Sequence, residues 1–181
     1  MRTISLVTAL ALVAAGAARA DVTVYDNEAD FIANAPPVVT TTFDNLPNFQ
    51  VRGMLELNGM QLNTQGIWQM PGICSANRSL GANSIARRHI GFIKPNGAES
   101  SVRAFGLLVT TIAISPPGDY QATVFTADGQ TMVVDIFGVT FEQPAYRGFV
   151  SSSPITDLII TAVGGSQINF CFDDVSHSAL R

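Results

Sequence analysis

Charge is scarce in this 181-residue chain: Asp, Glu, Lys and Arg make up 13% of it, about half the usual share of roughly 25%. Histidine and cysteine are also rare, two of each, and there is one tryptophan. Two cysteines cannot close a structural zinc site without histidine help, and His89 and His177 sit in unrelated contexts. The formal net charge of −4 gives no electrostatic reason to bind nucleic acid or an anionic membrane. No apolar run reaches the length of a membrane span.

The signatures of catalysis are missing as well. There is no G-x-S-x-G elbow and no H-E-x-x-H helix. A histidine-dependent hydrolase would need His177 beside Ser176 or Ser178, but neighbours on a strand face opposite ways. Asp173 and Asp174 make a poor glycosidase pair, because adjacent residues diverge and that chemistry needs a gap of about 5–10 Å. The reading is therefore non-catalytic, with a hydrolase the less favoured alternative.

What is present begins with an address. Residues 1–20 read as a secretory signal peptide: Arg2 is the basic start, Ile4–Ala15 the apolar middle, and Ala18-Arg19-Ala20 the cleavage site. Cleavage leaves a mature chain from Asp21, two charges more negative, whose length suits a single domain over residues 21–181. The expected location is secreted or periplasmic. In that oxidising compartment Cys74 and Cys171 are expected to form one disulfide, the alternative being two separately buried thiols.

The rest reads as all-β. Thr, Val, Ile and Phe are frequent, and Gly and Pro break the chain into short segments. Asp21–Tyr25 alternates as a first strand. Asp26-Asn27-Glu28 opens a short helix with Phe31 and Ile32 as its apolar side, and Pro36-Pro37 ends it. Strand-like segments follow at Val38–Phe43, at Gln50–Met54 with Gly59–Thr64, and at Arg87–Ile93 and Val102–Thr110. Further segments are Tyr120–Thr126, Thr131–Phe137, Arg147–Ser151, Asp157–Ala162 and Ile168–Val175. Gly66–Ala86 reads as a long loop pinned by the disulfide. About nine or ten short strands without a long amphipathic helix predict an antiparallel β-sandwich, jelly-roll-like, with one short N-terminal helix.

The most informative stretch is Gln167–His177. Ile168, Phe170 and Phe172 recur with period two and so share a strand face, with Cys171 and Asp173 opposite. Strict alternation places Asp174 on the phenylalanine side. A carboxylate there has to be bulged outward, hydrogen-bonded or matched by a cation.

With these pieces assembled, the chain resembles the jelly-roll ectodomains of bacterial exported proteins of the PEP-CTERM type. The matching residues are Phe31 with Ile32, Thr41-Thr42-Phe43-Asp44-Asn45-Leu46-Pro47 and Ala104-Phe105-Gly106-Leu107. Arg147-Gly148-Phe149-Val150, Pro154-Ile155-Thr156-Asp157 and Phe172-Asp173-Asp174-Val175 continue the resemblance. The last residues, Ser178-Ala179-Leu180-Arg181, carry no Pro-Glu-Pro sorting motif, so a free form is expected. Such domains are similar in outline to carbohydrate-binding modules and MAM-like sandwiches, some of which hold a structural calcium between first and last strands.

That resemblance implies two sites. Calcium takes six to eight oxygens. Asp173 and Asp174 could supply two, and Asp26, Glu28, Asp44 or Asn45 the others if the first and last strands are neighbours. The competing account is a turn-capping aspartate plus one paired with Arg88 or Arg147. A polysaccharide or other cell-surface ligand would need exposed aromatic platforms, for which Trp68, Tyr120 and Tyr146 are the candidates; a lone Trp is more often a core residue. The alternative to a binding module is a structural or matrix protein with no small-molecule site.

Overall fold

The structure is a computed structural model and describes residues 21–43, 50–71, 78–82, 88–92, 101–111, 117–140, 142–163 and 170–178. Its elements in chain order are β1 (Val22–Tyr25), α1 (Glu28–Asn34), β2 (Val38–Thr41), β3 (Gln50–Leu57), β4 (Met60–Pro71) and β5 (Arg78–Ala82). There follow β6 (Arg88–Phe92), β7 (Ala104–Thr111), β8 (Gly118–Thr126), β9 (Thr131–Val139), β10 (Ala145–Ser151), β11 (Ile155–Ala162) and β12 (Phe170–Ser178). The ladder runs β1-β10-β7-β12-β5-β4-β6-β11-β8-β9, with β2 also on β12 and β3 also on β4. The strand pairs are antiparallel. The fold is the expected all-β sandwich with one short helix.

Alternation builds the core. Phe105, Leu107 and Val109 of β7, Phe149 of β10 and Phe172 of β12 meet Tyr120, Ala122 and Val124 of β8 and Leu158 and Ile160 of β11 in one buried cluster. Fully burying one such side chain contributes about 1.5–3 kcal/mol. Ala104 of β7 and Tyr146 of β10 point to the opposite face, where Phe31 of α1 covers them as a second, smaller cluster. That outer cover is why β7 is buried along nearly its whole length on both faces.

Asn27 caps α1, its side-chain oxygen accepting from Asp30 N. Of the expected apolar pair on α1, only Phe31 turns inward; Ile32 is half exposed, because seven residues present a single position to the sheet. Asn58-Gly59, a dipeptide that favours hairpin turns, has positive φ at both residues, 48° and 80°, and joins β3 to β4 in a two-residue hairpin.

The expected loop over Gly66–Ala86 is corrected. β4 runs on to Pro71 and β5 occupies Arg78–Ala82, so Trp68 is a strand residue, in register with Gln50 of β3 and Gly81 of β5. Backbone pairing on both sides holds this segment as a strand where composition suggested a loop. Cys74 lies outside the described residues.

Candidate functional site

The acidic end of β12 departs from alternation. The register against β7 shifts between Asp173 and Ser176, and Asp174 sits in the left-handed region at φ 47°. Two residues there oppose one on β7, which is a β-bulge. The extra residue reverses the phase of the strand. Val175 takes the core position that strict alternation assigned to Asp174, and Asp174 is only half-buried. Asp173 is buried and accepts the backbone N–H of Asp174 at 2.9 Å through its own Oδ1. Of the three ways out for this carboxylate, the strand takes the bulge.

Beyond the bulge, Ser176 bonds Thr40 through their hydroxyls at 2.7 Å, and Ser178 Oγ accepts from Arg103 N and Ala104 N. His177 is buried, its Nδ1 donating to Ser178 O at 3.0 Å. An imidazole seated inside the sandwich cannot meet a substrate.

The expected metal residues divide into separate places. The first and last strands are not neighbours: β10 and β7 lie between β1 and β12, a separation of roughly 14 Å at about 4.8 Å per strand. Asp26, just past β1, pairs with Arg147 at 3.3 Å. That guanidinium also donates to Tyr146 O at 2.7 Å. Arg147 is thus committed to Asp26 rather than to the acidic pair, in a largely solvated contact worth at most about 1 kcal/mol.

Glu28 and Asp174 both act on Tyr146, whose phenol is held well above its ordinary pKa by burial first, then by the Glu28 and Asp174 charges. Tyr146 Oη is buried and has no hydrogen-bond partner among the described residues. These residues contain no group of three or more His, Cys, Asp or Glu that could hold a metal ion. The strand that does run beside the acidic end is β2, with Thr41 in register with Val175 and Phe43 packed edge-on against Phe172 at 6.0 Å. Asp44 and Asn45 follow Phe43 and lie outside the described residues.

The aromatic expectations are overturned at two positions. Tyr120 is 0% exposed in the main core and Tyr146 is 8% exposed beneath α1. Neither offers a ring face to a ligand, because each occupies an inward slot of its strand. Cys171 is fully buried on β12 and is not a free thiol.

Among the described residues an aromatic that is exposed is Phe137, on the outer face of β8, β9 and β11. Along β9, Thr131, Val133, Asp135 and Phe137 point outward while Ile136 joins the core. Phe137 is 64% exposed and Val133 55%. A bulge follows the ring: the β8–β9 register shifts between Gly118 and Tyr120, Gly138 takes φ 65° with its N–H held by Asp119 Oδ1 at 2.8 Å, and Val139 returns to the core. Only glycine adopts that backbone without strain.

Cross-strand register extends the face. Val133 is opposite Thr123, which is opposite Ile159 on β11; Asp135 is opposite Gln121, which is opposite Thr161. Gln121 Nε2 donates to Asp135 Oδ1 at 2.9 Å, pre-setting an amide and a carboxylate beside the ring. The face therefore offers Phe137 at one end, Val133 and Ile159 further along it, and the polar row Asp135–Gln121–Thr161 between them. Sequence reasoning passed over Phe137 because it lay in a hairpin strand read only for its period. The signal was the spacing Val133-x-Asp135-x-Phe137, which puts a valine, a carboxylate and an aromatic on one face.

No family model and no curated protein matches the chain. Among solved structures it is similar to a xylan-binding domain of carbohydrate-binding module family 22 from Paenibacillus barcinonensis, at 14% identity and TM-score 0.40 over 81% of this chain and 97% of that one. A family 29 carbohydrate-binding module matches at 13% and 0.44, over 88% and 91%. The cleaved adhesin domain of Lys-gingipain from Porphyromonas gingivalis matches at 10% and 0.40, over 80% and 99%. At these identities and scores the likenesses assign neither a ligand nor a site.

Proposed function

We propose that the chain is an exported, non-catalytic β-sandwich module that binds polysaccharide on the outer face of β8, β9 and β11. The observation that carries this reading is the exposed Phe137 on the same strand face as the Gln121–Asp135 pair and, beyond it, Val133. Sugar rings offer apolar C–H faces that stack on such a ring, and hydroxyls that bond to amides and carboxylates at its margin. The PEP-CTERM-type resemblance and the signal peptide over residues 1–20 belong to the same proposal.

The experiment is calorimetric titration of purified protein with soluble polysaccharides, wild type against Phe137→Ala. Loss of this exposed ring is expected to weaken binding by about 1–2 kcal/mol, five- to thirtyfold in Kd, while stability changes by less than about 0.5 kcal/mol. Unchanged affinity in the variant moves the site off this face. Absence of binding to any polysaccharide leaves the structural or matrix reading.

Calcium is a separate part of the proposal. Its ligands would be Asp173 and Asp174 with Asp44 and Asn45, the residues that follow Phe43 in the sequence, and its role structural. Asp26 and Glu28 are not in that set.

A further inference from the structure

A second ring stands on the same face as Phe137, and the inference drawn from it rests on the binding reading above. On β8 the buried Tyr120, Ala122 and Val124 alternate with Asp119, Gln121, Thr123 and Phe125, so these four point outward. Phe125 is half-buried there, in register with the exposed Thr131 of β9 and with Asp157 of β11. Thr131 and Phe137 are six residues apart on β9, which puts the two rings about 20 Å apart along the strands. Between them come the Gln121–Asp135 pair and then Val133, Thr123 and Ile159.

We infer that the face holds a linear glycan lengthwise along β8 and β9, with Phe137 and Phe125 as two stacking subsites, and selects long chains over short ones. A gap of about 20 Å is the length of about four linked sugar rings, so a chain of about five reaches both aromatics. A chain laid across the strands at either level would meet one ring alone. At 64% exposure Phe137 covers a single face of a single sugar. One such contact cannot offset the translational and rotational freedom lost on association. A chain that reaches Phe125 loses that freedom once and gains two stacking contacts, with the amide and carboxylate of Gln121 and Asp135 set between them for its hydroxyls. Paired strands hold the spacing of the rings fixed.

The test is a chain-length series: linear β-1,4-linked gluco- and xylo-oligosaccharides from the dimer to the heptamer, titrated into the purified protein. Affinity is expected to rise about tenfold or more between trimer and hexamer and to level off beyond it. Phe125→Leu keeps the apolar bulk at a half-buried position, so it is expected to fold, which a melting curve checks. That variant is expected to lose about tenfold in hexamer affinity and to leave the trimer unchanged, flattening the series. Phe137→Ala is expected to weaken both lengths.

Equal affinity for trimer and hexamer overturns the two-ring inference and leaves the polysaccharide reading standing. A length dependence that survives intact in Phe125→Leu overturns it as well, because the chain then leaves Phe137 by another route. If neither variant alters hexamer binding, the inference falls together with the placement of the site on this face. If no oligomer of either series binds, the inference falls, and the polysaccharide titration above decides the broader reading separately.

Discussion

Phe31 fills the space that Gly148 leaves empty. A Cβ at Gly148 would stand 2.5 Å from Phe31 Cδ2 and 2.8 Å from Phe31 Cβ. Because the phenylalanine's own Cβ is involved, turning its ring cannot relieve the clash, and α1 would have to lift. Gly148→Ala is expected to cost about 1–3 kcal/mol by overpacking. Phe31→Ala combined with it should cost less than the two singles added, since the ring's share of the clash is removed while the Cβ contact stays. Denaturant titration of the four proteins measures this; strict additivity would show that helix and strand do not meet here.

Tyr146 Oη supplies the second prediction. A buried hydroxyl with no partner among the described residues contributes little, so Tyr146→Phe is expected to change stability by less than about 1 kcal/mol at neutral pH, in either direction. Its effect appears in alkali. The folded-state pKa is raised above the phenol's usual 10.0, so the contribution is complete below about pH 10 and is lost as pH rises further. Tyr120 is raised likewise, by burial and then by Asp119. Stability should therefore fall above about pH 10, and less steeply in Tyr146→Phe, read from denaturation midpoints across pH. Identical slopes would show that Tyr146 reaches water in the folded protein.

A Cys74–Cys171 bridge is the third. Oxidised protein should weigh about 2 Da less than reduced protein, and reduction should lower stability by about 2–5 kcal/mol. Two thiols alkylated in the unfolded, unreduced chain would remove the bridge.

Calcium gives the fourth. If Asp174 is a ligand, free calcium at a hundredfold excess over its Kd should add about 2.7 kcal/mol of stability, and Asp174→Asn should abolish that gain. Asp26→Asn should leave it intact, because Asp26 is paired with Arg147. A melting temperature unmoved by calcium or chelator in wild type ends the metal reading without touching the sheet face.

Fold class was legible in the sequence because strands declare themselves by period. Val22 and Val24, the alternation of Tyr120–Thr126, and the Asn58-Gly59 and Ala127–Gln130 turns are local features, decided by residues next to each other. The helix was legible too, from Asn27 and the prolines that follow α1. The bulges were not. Whether Asp174 or Val175 faces the core depends on how many residues of β12 oppose one residue of β7, a count that exists only once the strands are paired. The same holds at Gly138, where the bulge against Asp119 returns Val139 to the core.

Burial of the tyrosines was also a tertiary decision. In the sequence Tyr120, Tyr146 and Phe137 are three aromatics in three strands; strand period alone cannot say which face of a sheet meets another layer. Packing put Tyr120 against the opposite sheet and Tyr146 beneath Phe31, and left Phe137 in water. Period is a property of a single strand and survives in the sequence. Facing is a property of two layers, fixed by the burial of apolar area between them, and so the candidate binding face belongs to the tertiary structure alone.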